Sequence, residues 1–263
     1  MSRVEKVFRK LQQKDGKALI TYITAGDPTI SVSREIILEL IRVGADIIEL
    51  GVPFSDPTAD GPVIQAACQR ALKGRVTLPD ILSLVKDIRR ISDIPIILFG
   101  YYNPFFVFGP EEICRKAKEA GADGFLVVDL PYEAADELKQ YTDQMEMDLI
   151  SLLAPTSNER RIKMISENAR GFLYYISMTG VTGAHHLCGQ PTLDTIERIK
   201  KVSTVPVAIG FGISAPEQAR FAGTVADGVV VGSAIVRIIE ENQHSRQLPR
   251  KVGEFVAQLR KAV

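Results

Sequence analysis

Eight short apolar runs, each separated from the next by a stretch with helical spacing, set the tightest limit on what this chain can fold into. They are ALITYIT (18–24), DIIELG (46–51), IPIILFGYY (94–102), GFLVVD (124–129), DLISLLA (148–154), GFLYYIS (171–177), VPVAIGFG (205–212) and GVVVGS (228–233). All are rich in β-branched or aromatic residues and bounded by Gly, Pro or Asp, as strands are. They are continuously apolar more than alternating, the pattern of strands covered on both faces of a parallel sheet. Between them SREIILELIRVG (33–44), PDILSLVKDIRRI (79–91), PEEICRKAKEAG (110–121) and DTIERIKKV (194–202) carry helical periodicity, several closing on a Gly suited to the position after a helix. Gly-Ala-Asp joins helix to strand at 44–46 and at 121–123, with a related Ala-Asp-Gly at 226–228. The Gly ends the helix and the polar pair makes a short turn.

No linker or change of composition divides the 263 residues. Eight βα units in one continuous chain predict a single α/β domain over residues 1–263, a (β/α)8 TIM barrel; a doubly wound sheet usually has about five or six strands. An extra N-terminal helix, about Val4 to Gln13, is expected to cap the barrel floor. The 32 basic and 32 acidic residues cancel and form no basic stripe, so neither nucleic acid nor an anionic membrane is expected as a partner. Cys68, Cys114 and Cys188 are odd in number and irregularly spaced, against both a disulfide framework and a metal knuckle. The N-terminus carries charges every few residues, unlike a signal peptide, and no run reaches the roughly 18 apolar residues of a membrane span. The expected location is cytoplasmic.

In such barrels chemistry sits at the C-terminal ends of the strands. Glu49 lies there, a lone carboxylate in an apolar strand. Side chains alternate along a strand, so Ile48 and Leu50 face the helices and Glu49 points into the barrel with Ile47 and Gly51. Desolvation there raises a carboxyl toward the range useful for acid–base work. The competing reading is a structural glutamate paired with a Lys, Arg or tyrosine hydroxyl. Asp60 follows in a loop too long for a minimal turn, on the face where lids form; it also stands where it would cap a helix starting near Pro62. Asp56, in Ser-Asp-Pro, fits a plain turn.

The last third is marked by glycines: Gly180 and Gly183 after the sixth strand, Gly210 and Gly212 after the seventh, and Gly232-Ser233 opening a helix after the eighth. Such glycines let backbone N–H groups approach an anion, and a helix N-terminus favours it. They also suit tight turns with no ligand. No lysine ends a strand, which removes a Schiff-base mechanism. His185 and His186 are loop neighbours and His244 lies near the C-terminus, with no metal-ligand spacing, so no metal is expected. Two carboxylates and a phosphate cradle suggest proton shuttling on a phosphorylated substrate.

Together these residues closely resemble the tryptophan synthase α chain family, over essentially the full length. ITAGDP (23–28), ELGVPFSDPTADGPVIQ (49–65), SMTGVTGA (177–184), and GFGIS with GVVVGSAIV (210–214, 228–236) carry the likeness, the second most specifically. The resemblance implies a lyase of tryptophan biosynthesis that cleaves indole-3-glycerol phosphate to indole and glyceraldehyde 3-phosphate. It implies Glu49 as the acid/base at indole C3 and the glycerol hydroxyl, and Asp60 facing the indole N–H. Tyr174 matches the tyrosine near the acid; Tyr22, Phe99, Leu126 and Phe211 match the indole pocket; Thr182 matches the threonine meeting Asp60 on loop closure. Gly183, Gly212, Gly232 and Ser233 match the phosphate cradle. The implied partner is a β chain carrying pyridoxal phosphate in an α2β2 assembly, with no cofactor on this chain, and Pro53, Asp56, Pro57 and Asn103 on the partner-facing surface. Met178 stands where some members have Arg, and Tyr22 where Phe is frequent, so its hydroxyl requires a polar partner if buried. Two rivals stand beside this reading: another phosphate-binding barrel acting on a sugar or anthranilate phosphate, and a non-catalytic subunit that only activates a β partner.

Overall fold

The computed structural model describes residues 1–176, 190–210 and 212–263. Each predicted run contains a strand: β1 Ala18–Thr24, β2 Ile47–Gly51, β3 Ile96–Gly100, β4 Gly124–Val127, β5 Asp148–Leu153, β6 Leu173–Ile176, β7 Val207–Gly210 and β8 Gly228–Val231. They pair in parallel in chain order, and β8 returns to β1 to close the barrel. Most are shorter than the apolar run that announces them. The third ends at Gly100, and Tyr102 opens a short helix, α5 (Tyr102–Phe108), inside what reads as strand. Aromatic residues suit either element, and here the chain has left the ladder.

The described helices are α1 Arg3–Gln12, α2 Ile30–Arg42, α3 Pro62–Lys73, α4 Leu78–Arg89, α6 Pro110–Ala120, α7 Asp136–Gln144, α8 Glu159–Glu167, α9 Gln190–Val202, α10 Pro216–Val225, α11 Ser233–Glu241 and α12 Leu248–Arg260, besides α5. Outward residues such as Leu19, Ile48, Leu98, Phe125 and Val229 form one core with the helices. Inward Ile20, Ile47, Ile97, Leu126, Ile150, Phe172 and Val230 form a second, closed from below by Val4 and Phe8 of α1. The Phe8 and Phe172 rings stand 5.8 Å apart. A Ser2–Glu5 capping box starts α1, which fixes its first turn against the floor.

The recurring turn aspartates have a common task. Asp46 accepts from the Leu19 N–H at 2.8 Å, Asp123 from Ile96 at 2.8 Å and Asp227 from Val207 at 2.9 Å. Each ties the start of the preceding strand in the barrel, where the ladder leaves a donor unpaired. Each is also met by a cation, Arg260, Arg89 and Lys200 respectively. The floor is thus a ring of charge-assisted strand caps, and the opposite end is left for chemistry.

Candidate functional site

Glu49 stands between Tyr22 of β1 and Ile97 of β3 in the sheet register, facing the lumen. It is 1% exposed, and neither carboxyl oxygen has a hydrogen-bond partner among the described residues. Among the described residues neither the cation nor the hydroxyl of the structural alternative is in bonding reach. Burial lifts the carboxyl to about 8, so at neutral pH it holds its proton. A neutral acid escapes most of the desolvation penalty of an ion.

Asp60 lies two residues before α3. The helix cap is Gly61, with no side-chain cap bond, so Asp60 does not do the capping its position suggested. Its Oδ2 instead accepts from the Tyr101 hydroxyl at 3.0 Å, and that hydroxyl accepts from the Ala59 N–H at 2.9 Å. Gln65 Nε2 donates to the Asp60 carbonyl at 2.8 Å. Burial raises the Asp60 carboxyl to about 6, with the Tyr101 bond opposing the rise. Tyr101 was missed in the sequence. The one signal was its place directly after the third strand, where a side chain reaches the barrel mouth.

Tyr22 and Tyr174 are both buried at 6% exposure. Burial, then the charges of Glu49 and Asp60, push the Tyr174 phenol well above its ordinary value. The Tyr22 hydroxyl finds its polar partner in Thr24 Oγ1, at 3.2 Å. Each ring lies over a glycine of the next strand. A Cβ on Gly51 would fall 2.3 Å from the Tyr22 hydroxyl, and one on Gly210 2.1 Å from that of Tyr174. Gly210 therefore makes room for a tyrosine, a task that the glycine pattern alone did not suggest. Tyr22 meets Phe99 edge-on at 5.0 Å. Ala67 of α3 and Val236 of α11 belong to the same buried apolar cluster as Tyr22. Leu126, fully buried, continues this apolar wall beside Phe99 in the sheet.

At the other side of the mouth Gly232 caps α11 without a side-chain bond, Ser233 is its first residue, and the first helical bond is Val236 N–H to the Gly232 carbonyl at 3.1 Å. The amides of Ser233, Ala234 and Ile235 thus precede the intrahelical ladder and suit an anion. Gly212 is exposed and takes φ +77°, a conformation open to glycine. Thr182, Gly183 and Phe211 lie outside the described residues, as do Gly180, Met178, His185, His186 and Cys188.

Of the four positions expected to face a partner, Asp56 and Asn103 are exposed and Pro57 is half-buried. Pro53 differs: it is buried, in the wall of a cavity of about 370 Å³ with Val52, Val76, Pro104, Val107 and Phe108. The backbone around Asp56 turns as Ser-Asp-Pro suggests, with the Thr58 N–H on the Asp56 carbonyl at 2.9 Å. His244 is exposed. Among the described residues no helix is long and apolar enough to cross a membrane, and no group of three or more His, Cys, Asp or Glu is placed to hold a metal.

Comparison with known proteins comes to the same place. Residues 8–263 match the family described as tryptophan synthase alpha chain. The tryptophan synthase alpha chain of Geotalea uraniireducens is 49% identical over 263 residues, all of this chain and 98% of that one. The crystal structure of tryptophan synthase subunit alpha from Legionella pneumophila superposes with a TM-score of 0.91 at 38% identity, covering 100% of this chain and 98% of that one. A chain in the tryptophan synthase complex of Pyrococcus furiosus gives 0.84 at 37% identity, over 92% of this chain and 97% of that one.

Proposed function

The chain belongs to the tryptophan synthase alpha chain family, and from that premise we propose that residues 1–263 act as one barrel that splits indole-3-glycerol phosphate into indole and glyceraldehyde 3-phosphate. The observation that carries the reading is the buried, protonated Glu49 in the lumen, below a phosphate-suited helix N-terminus. The phosphate sits against the amides of Ser233 and its neighbours and Gly212, and the ring lies along Tyr22, Phe99 and Leu126.

The step is a retro-aldol cleavage. Glu49 gives its proton to indole C3, which leaves positive charge on the ring nitrogen. Asp60, ionised above about 6, lies within range of that N–H and stabilises the charge. The Glu49 carboxylate then takes the proton of the adjacent glycerol hydroxyl, the C–C bond breaks as the aldehyde forms, and the electron pair returns to the ring. Glu49 ends protonated, as it began. Two carboxyls with separated acidities supply the acid and the anion in one site. Each contributes roughly 10²- to 10⁴-fold, the usual span for positioned proton transfer.

Indole, the apolar product, passes to a pyridoxal-phosphate-bearing β chain in an α2β2 assembly, and the chain works in the cytoplasm. Supporting the docking surface are exposed Asp56 and Asn103, together with Phe106 and Val107 of α5, which are 52% and 77% exposed. Large apolar residues left in water next to a cavity mark an interface. The test is indole release from indole-3-glycerol phosphate, run with and without an added β subunit. Release by the chain supports the reading; a chain silent in both conditions overturns it.

A further inference from the structure

Arg70 lies in the last turn of α3, with its side chain only 17% exposed, and makes three ionic hydrogen bonds. Its Nε and Nη2 take the two oxygens of Asp27 at 2.8 and 2.9 Å, and Nη1 meets Glu240 at 2.8 Å. Asp27 sits just beyond β1 and is 1% exposed, while Glu240 lies in the last turn of α11. The guanidinium thus joins α3, the end of β1 and α11 at one point.

Each of those elements ends at the candidate site. α3 begins two residues after Asp60, and its Gln65 grips the Asp60 carbonyl. α11 begins at Ser233, and both helices contribute a side chain, Ala67 and Val236, to the small apolar cluster that contains Tyr22. A helix moves as a rod, so pinning one end fixes the other. A planar fork holds direction as well as distance, which a lysine ammonium does not.

We propose that Arg70 is a positioning residue for the reaction, locking the helix that follows Asp60 to the helix whose N-terminus takes the substrate phosphate. The inference rests on the proposed cleavage. Its physical content is that ring nitrogen and phosphate belong to one substrate held at both ends, so the groups that meet them must be correctly placed for the reacting carbon to lie at Glu49; a misplacement of about 1 Å costs around 10²-fold in rate.

The test uses the full chain and three variants, Arg70→Gln, Arg70→Lys and Glu240→Gln, with kcat and KM for indole release, affinity for glycerol 3-phosphate, and Tm. Arg70→Gln should lower kcat about tenfold or more, with Arg70→Lys recovering part of the loss. Glu240→Gln, which cuts only the partly exposed arm, should raise KM and weaken glycerol 3-phosphate about threefold with kcat within about twofold. A merely structural arginine would lower Tm and leave both kinetic constants alone. The proposal is overturned if Arg70→Gln keeps kcat and KM within about twofold of wild type. Should Arg70→Gln fail to fold, unchanged KM and glycerol 3-phosphate affinity in Glu240→Gln overturn it. A wild-type chain that releases no indole sinks the assigned reaction; the glycerol 3-phosphate comparison then still decides the coupling to α11.

Discussion

The phenolic oxygen of Tyr174 stands 2.1 Å from the point that a Cβ on Gly210 would occupy. Gly210 is the β7 neighbour of Ile176 in register, so the ring of Tyr174, two residues earlier on β6, leans across the barrel wall toward it. Tyr22 and Gly51 repeat the relation between β1 and β2. Two glycines thus hold open the space taken by two tyrosines, one on the strand beside that of Glu49 and the other on the opposite side of the barrel.

Gly210→Ala therefore displaces the Tyr174 ring, since no real Cβ tolerates an atom that near. The expected outcome is a loss of indole release of about 10²-fold, with the barrel still folded by circular dichroism. Retained turnover would show that the ring shifts without consequence.

Glu49→Gln keeps the size and neutrality of the protonated acid and removes its proton. Substrate binding should persist while kcat falls by about two decades or more; near-normal turnover refutes an acid role. Stability carries a second signature. An acid raised to about 8 when folded, against roughly 4.3 when unfolded, holds more protons in the native state between those values. Native stability is therefore lost as pH climbs through that window. The Gln variant lacks that slope, so urea midpoints of the two proteins should converge near pH 4 and the variant should be the more stable near pH 8.

The rate itself needs Asp60 ionised and Glu49 protonated. With the first near 6 and the second near 8, kcat/KM should rise through the lower value, level, and fall through the upper one. A profile flat from pH 5 to about 9 would remove both assignments.

Tyr101→Phe deletes the donor to Asp60 and frees the Ala59 amide. The hydroxyl favours the charged carboxylate, so its loss moves the acidic limb of the pH profile upward and lowers kcat several-fold, with Tm reduced by only a few degrees. An unmoved acidic limb would leave Tyr101 as packing beside Phe54, whose ring it meets at 5.4 Å.

At the floor, Asp123→Ala leaves Arg89 without its carboxylate and the Ile96 N–H unpaired. Breaking so buried a pair costs about 3–5 kcal/mol, measured as a drop in the urea midpoint. Activity per folded molecule should be unchanged, because the ring of caps is a barrel away from Glu49.

The alternation of β2 was enough to aim Glu49 inward, and the spacing of the apolar runs was enough to count the strands and close the barrel, since both are periodicities of the chain itself. The Gly-Ala-Asp repeat could be read as a turn, but not as a strand cap, because Leu19 and Ile96 are donors 27 residues away. Asp60 looked equally like a helix cap and a catalytic group; only the structure shows Gly61 at the cap and the Asp60 carboxylate turned to Tyr101, from beyond the third strand. Arg70 carried no local mark at all. Its meaning lies in Asp27 and Glu240, 43 and 170 residues distant. Local pattern determines which way a side chain points, because that is set by neighbouring dihedrals. Protonation, clearance and clamping are set by atoms that only the closed barrel brings together, and those were the decisions left to the tertiary structure.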